Sequence, residues 1–243
     1  MSNPILNEER FSPRERILDG EPMTISGTVN KIFMLLVCLI AGAAISVYTL
    51  FTSASMVPAM LTVSAIVSFI LVLATCFNIK IAKYTAAPYA LFEGLLLGAV
   101  SMMFESQWHG IVLQAVFATF ATLFVMLMLY KARIIRYTEK FQAVLMTAML
   151  SVLAVYLIQM IASFFGRGIP LIWESGPVGI IFSLVVIGIA AFSLIQDFFF
   201  IESASQNMLS KDYEWYGAMG LMITLVWLYI EILRLFAKLN SRN

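Results

Sequence analysis

A polar stretch of mixed charge opens the chain, and long apolar runs follow it. Residues Met1–Asn30 carry Asn7-Glu8-Glu9-Arg10, Pro13-Arg14-Glu15-Arg16 and Asp19-Gly20-Glu21-Pro22. The stretch has no apolar core and no small-residue cleavage site, so it reads as a retained tail and not as a signal peptide. Seven apolar runs then follow at Lys31–Thr52, Val57–Phe77, Ala86–Ser106, Gly110–Tyr130, Phe141–Phe164, Pro177–Ile201 and Gly217–Ala237. Each is about 20 residues or longer, the length a helix needs to cross a hydrocarbon core of roughly 30 Å. The connections Ser53–Met56, Asn78–Thr85, Gln107–His109 and Lys131–Lys140 are short; Phe165–Gly176 and Glu202–Tyr216 are longer. Pro58, Pro88 and Pro177 are read in the first turn of a span, where a missing N–H costs little. The runs lack the two-residue alternation of barrel strands. The pattern predicts an all-α polytopic membrane protein with a polar tail, residues 1–30, and a seven-helix transmembrane domain, residues 31–243.

Composition agrees with that reading. Apolar residues make up 61% of the chain and charged residues only 12%, about half the share of a soluble domain. A cytosolic enzyme, a nucleic-acid binder and a disordered tail are thereby excluded, and the lipid bilayer is the expected partner. One histidine and two cysteines leave no zinc or haem ligand set, and no cofactor is expected. Cys38 and Cys76 lie in apolar runs, where a thiol packs as a small hydrophobe. The net charge of +1 matters less than where the cations lie. With the amino terminus inside, Arg10, Arg14, Arg16, Lys31, Lys80, Lys83, Lys131, Arg133, Arg136, Lys140 and Lys211 fall on the cytoplasmic side, while the outer loops hold Arg167. The positive-inside rule therefore predicts a cytoplasmic tail in a multi-pass protein of the cytoplasmic membrane. Arg234, Lys238 and Arg242 at the other end break the rule if all spans cross fully, so the side of the C-terminus stays open. Trp108 and Trp173 are expected at the outer interface and Trp215 at the inner one.

Three carboxylates are assigned to span interiors: Glu93 in the third, Asp197 in the sixth and Glu231 in the seventh. At membrane depth a carboxylate costs at least about 2.5 kcal/mol, so it must be paired, protonated, or facing water or an ion. Glu231 has Arg234 three residues on, a candidate intrahelical pair. Glu93 and Asp197 have no cation at helical spacing. Counted from the span ends, Glu93 lies about 10 Å and Asp197 about 6 Å from the cytoplasmic face, with Glu231 about 21 Å away. Lys80 and Lys83 lie beneath the first two, as a basic rim for lipid headgroups or as a latch on Asp197. Glu93 also opens Glu93-Gly94-Leu95-Leu96-Leu97-Gly98, whose Gly94 and Gly98 allow a second helix to approach closely.

Asn3-Pro4-Ile5-Leu6-Asn7-Glu8, Leu91-Phe92-Glu93-Gly94-Leu95-Leu96-Leu97-Gly98, Gln196-Asp197-Phe198-Phe199-Phe200-Ile201-Glu202, and Glu214-Trp215-Tyr216 leading into Trp227-Leu228-Tyr229-Ile230-Glu231-Ile232-Leu233-Arg234 resemble the bacterial branch of the Bax-inhibitor-1 family over nearly the whole chain. The resemblance implies six helices wrapped around a seventh near the centre of the bundle. It also implies a proton-sensitive calcium leak. In that family an acid late in the sixth helix and one in the seventh form the sensor, latched by a basic residue near the second-to-third connection. Carried over by position, these are Asp197, Glu231 and either Lys80 or Lys83. Asp197 and Glu231 would then be candidate calcium ligands. The interval from Asp197 to Glu231 is long for a pair at one level, unless the seventh helix begins below the membrane; Glu93 is the alternative partner.

The leading expectation is a pH-sensitive cation leak channel or exchanger, in which two neighbouring carboxylates share a proton and its loss exposes oxygen ligands for a hard cation. The alternative is a regulatory protein of membrane-protein quality control that engages a membrane-bound protease through the polar tail. An enzyme is not expected, since no Ser/His or His/Glu constellation can be assembled around His109. A retinal receptor is disfavoured, because Lys238 stands at the end of the seventh span and not near its middle.

Overall fold

A computed structural model describes residues 21–165 and 175–241. Among these the chain forms seven long helices: α1 Ile25–Thr52, α2 Val57–Phe77, α3 Ala82–Gln107, α4 Ile111–Lys131, α5 Glu139–Phe164, α6 Pro177–Gln206 and α7 Asp212–Asn240. All seven are long and apolar enough to cross a membrane. The predicted places of Arg10, Arg14, Arg16, Arg167, Trp173 and Arg242 lie outside the described residues.

Local chemistry sets the helix boundaries. Thr24 caps α1, its Oγ1 accepting from Gly27 N at 3.0 Å, and Thr138 caps α5 by accepting from Phe141 N at 3.2 Å. Each cap satisfies one of the N–H groups that a helix start leaves without a partner. Between α3 and α4 the chain reverses at Gly110, whose φ of 82° suits a residue without a Cβ. Glu105 closes that turn, its carboxylate accepting from Gly110 N at 2.6 Å and Val112 N at 3.1 Å. Pro58 and Pro177 do stand at the starts of α2 and α6.

Three helix starts differ from the sequence pattern in a way that matters. The first helix begins at Ile25, inside the stretch assigned to the tail, because the Thr24 cap and not the first apolar residue sets the boundary. The third begins at Ala82 after a single 3₁₀ turn, Ile79–Ile81, so Pro88 lies inside the helix and not in its first turn. Pro88 therefore has no N–H to offer the carbonyl of Tyr84, a defect that membrane helices accommodate through local adjustment. The seventh begins at Asp212, with Asp212 and Glu214 in its first turn and Lys238 in its last. That placement complements the helix dipole at both ends.

The described residues fall into two compact units. The first comprises the described chain up to Ala99 together with Phe199–Met222. Its core joins Leu35 of α1, Ala86, Tyr89 and Ala90 of α3, and Ala218, Met219 and Met222 of α7. A second cluster gathers Met23, Ile201, Ala204, Leu209 and Tyr213. Met23 N donates to Leu209 O at 2.8 Å, which ties the segment before α1 to the α6–α7 connection. The second unit comprises Val100–Phe198 and the chain from Ile223 onward. In it Val186, Ala190, Leu194 and Ile195 of α6 and Leu228, Ile232 and Leu233 of α7 are buried. Among the described residues α7 is the most enclosed of the long helices, 61% of its most apolar stretch being buried against 44% for α6 and less for the others.

Candidate functional site

Asp197 lies in α6, nine residues before the helix ends at Gln206. Its Oδ2 is closed off from the surface and has no hydrogen-bond partner among the described residues, and Oε1 of the adjacent Gln196 is in the same condition. The group that α7 turns toward the Asp197 carboxyl is the hydroxyl of Thr224, itself buried. Tyr137, in the connection before α5, also feels this carboxylate. Burial, and after it the negative charge of Asp197, holds the Tyr137 hydroxyl above its ordinary value.

Glu231 has a different environment. The residue is 2% exposed. Tyr156 Oη of α5 donates to Glu231 Oε1 at 2.6 Å, and Arg234 Nη1 donates to the same oxygen at 3.0 Å. Arg234 Nη1 also reaches Tyr156 Oη at 3.3 Å, and its guanidinium stands 5.7 Å over the Tyr156 ring. The three groups form a closed polar triangle that answers the buried charge with one cation and one phenol. One turn further along α7, buried Lys238 donates to Gly179 O at 3.0 Å and Ser183 Oγ at 2.9 Å on α6. Thr224 and Glu231 lie seven residues apart on one face of α7, about 10 Å along its axis. The structure therefore brings Asp197 to Thr224, and Glu231 to Tyr156 and Arg234.

In the first unit, the Glu93 carboxyl of α3 lies beside the Ser68 hydroxyl of α2, although Ser68 Oγ makes no bond of good geometry. The glycines that follow it have a packing role that is easily stated. A Cβ on Gly94 would stand 2.1 Å from Leu39 O, and one on Gly98 2.5 Å from Ala43 O. Gly42 of α1 faces Leu91 O equally closely, at 2.1 Å. Backbone touches backbone where α1 crosses α3, and only glycine fits there.

Of the two candidate latch residues, Lys83 pairs with Asp212 at the start of α7, at 3.7 Å. Lys80 is exposed, and its backbone N–H donates to Asn78 Oδ1 at 3.1 Å.

One ionic cluster escapes a reading by hydropathy. Glu214 is 1% exposed. Its Oε2 is bonded by Lys31 Nζ, and its Oε1 accepts from Thr24 N at 2.9 Å and Thr24 Oγ1 at 3.0 Å. Lys31 Nζ also lies 5.2 Å from the Trp215 ring centroid. Gly27 makes room for this cluster, since a Cβ there would stand 2.3 Å from Glu214 Oε1. With α7 taken to begin at Gly217, Glu214 counts as a loop acid. The available signal was Asp212-Tyr213-Glu214, acids that suit the first turn of a helix. Thr224 and Tyr156 carry no such signal, being single polar groups in apolar runs.

The described residues thus form an all-α, multi-pass membrane protein in which polar groups of other helices meet Glu231 and Glu214, while Asp197 is only partly answered. The chain belongs to the Bax inhibitor 1 like family, whose model matches residues 3–241. A search of curated proteins returns no match. No group of three or more His, Cys, Asp or Glu side chains that could hold a metal ion occurs among the described residues.

Proposed function

We propose that this protein is a proton-sensitive cation leak of the cytoplasmic membrane, with calcium as the favoured ion and Asp197 as the titrating group. The observation that supports the reading is the half-answered carboxyl of Asp197, one oxygen of which has no partner among the described residues although it lies in an apolar helix. A charge at that depth must be met by a proton or a cation. With the proton on, the site is neutral and holds no cation. With the proton off, the carboxylate and the Thr224 hydroxyl offer the oxygen ligands a hard cation takes. One carboxylate and one hydroxyl make a weak ligand set, suited to passage and not to storage. Glu231 is already bonded by Tyr156 and Arg234, so in this reading it braces the helices and Asp197 alone exchanges the proton.

The test is calcium flux into proteoliposomes across a pH series. Flux through the wild type is expected to rise as pH rises, and Asp197→Asn is expected to flatten that response and lower the flux. Equal flux with an equal pH profile in both proteins would overturn the reading.

A further inference from the structure

Where α1 and α7 begin, a cavity of about 350 Å³ opens, lined among others by Glu21, Asn30, Lys31, Lys211, Glu214 and Trp215. Its volume sits at the lower end of the roughly 300–1,000 Å³ typical of small-molecule sites, enough for a polar headgroup and not for a whole lipid. Its charges come as two pairs at different depths. Lys31 and Glu214 form the buried pair, while Lys211 and Glu21 close the mouth, where their side chains are 56% and 76% exposed. The site is therefore electrically neutral but strongly dipolar, with cations and carboxylates both within reach of one occupant. Met34 also lines it, and from there α1 presents Phe33, Met34 and Val37 outward on a helix long enough to span a membrane. A polar pocket that gives onto an outward apolar helix face is the shape an amphiphile fills.

We infer that this cavity is a binding site for a zwitterionic phospholipid headgroup bearing a primary ammonium, of the phosphoethanolamine type, with the acyl chains lying along Phe33 and Val37. The ammonium has three N–H donors for Glu214 and Glu21. The phosphate takes charge-assisted bonds from Lys31 and Lys211. Each pair then exchanges one internal ionic contact for one with the lipid, and no charge is left unmatched. An anionic glycerol headgroup would leave both carboxylates without a new cation and add a like charge beside them. A choline headgroup has no N–H to give, and Trp215, the one aromatic that lines the cavity among the described residues, forms no cage for it.

The site is independent of Asp197, and its test does not read ion flux. The full-length protein is purified in detergent and offered phosphatidylethanolamine, phosphatidylglycerol and phosphatidylcholine of identical acyl chains, and bound lipid is counted by native mass spectrometry. The expected result is one phosphatidylethanolamine retained at least tenfold more than either competitor. Charge reversal at the mouth, Glu21→Lys with Lys211→Glu, keeps both signs and should preserve retention; Glu21→Gln with Lys211→Gln should reduce it severalfold. These mouth residues are exposed, so their variants fold whether or not the inference holds. Equal retention of the three lipids, or retention unmoved by the double glutamine change, would overturn it.

Discussion

A threonine hydroxyl donates to a carboxylate or accepts from a carboxylic acid, but it cannot take up the acid's proton as a second carboxylate would. Because α7 offers Thr224 to Asp197, the pH response should follow a single-proton titration. Thr224→Asp would place two carboxyls where one now stands, and the two could not both ionise freely. The flux midpoint is then expected to move up by on the order of one pH unit or more; an unchanged midpoint in the proteoliposome assay would show that Thr224 does not set the response. At Glu231, Tyr156→Phe removes a bond to a buried charge while leaving Arg234 in place. The expected loss of stability is about 1.5–3 kcal/mol, read from unfolding in mixed micelles, with the flux profile retained. At the cavity mouth, the hydrogen bond and charge of Lys211 hold Glu21 below the ordinary carboxylate value, while Glu21 holds Lys211 above the ordinary lysine value. The clasp is therefore present above the usual carboxylate range and lost only as pH falls through the lowered value of Glu21. At the other end it fails as pH rises through the raised value of Lys211. Lipid retention should accordingly be flat from about pH 6 to pH 9, given the ordinary values that these shifts extend.

At the scale of whole elements, α1 and α3 cross backbone to backbone in the first unit. The cause is compositional: Gly42, Gly94 and Gly98 bring carbonyl oxygens to within 2.1–2.5 Å of where a Cβ would sit. Gly94→Ala cannot be relieved by turning a side chain, because the clashing atoms of Leu39 are backbone. Overpacking of this kind costs typically about 1–3 kcal/mol, so Gly94→Ala is expected to lower the melting temperature in detergent. Gly188→Ala on α6 is the control, since a Cβ there meets nothing within 4 Å. If both changes had the same effect, helix propensity and not the crossing would be responsible. The early start of α7 is a second element-scale feature. By beginning at Asp212 the helix carries Glu214 to Lys31 and Asp212 to Lys83, which fastens its first turn to α1 and α3.

For the whole molecule, the distribution of lysine and arginine is the guide to orientation. A cysteine placed at exposed Lys80 is expected to resist membrane-impermeant reagents in intact cells and to react once the cells are opened, as a cytoplasmic loop would. Labelling of intact cells would reverse the topology. The seventh helix, α7, is shared between the two compact units. Its residues up to Met222 belong to one unit and those from Ile223 onward to the other, so a single continuous helix contributes to both cores.

Hydropathy alone determined the seven long apolar helices of the described residues and what solvent surrounds them, since runs of that length and so few charges have no aqueous alternative. Family likeness, read from Leu91–Gly98 and the stretch around Asp197, matched the family found for residues 3–241. The helix starts were less legible, because Thr24 and Asp212 act through hydrogen bonds and the dipole, which apolar periodicity does not record. The pairing of charges was not legible at all. A sequence shows that Asp197, Glu93, Glu231 and Glu214 are acids, but which helix faces each depends on the rotation and packing of neighbouring helices. Only the tertiary structure could place Thr224 at Asp197, Tyr156 at Glu231 and Lys31 at Glu214, because these contacts join positions 27, 75 and 183 residues apart.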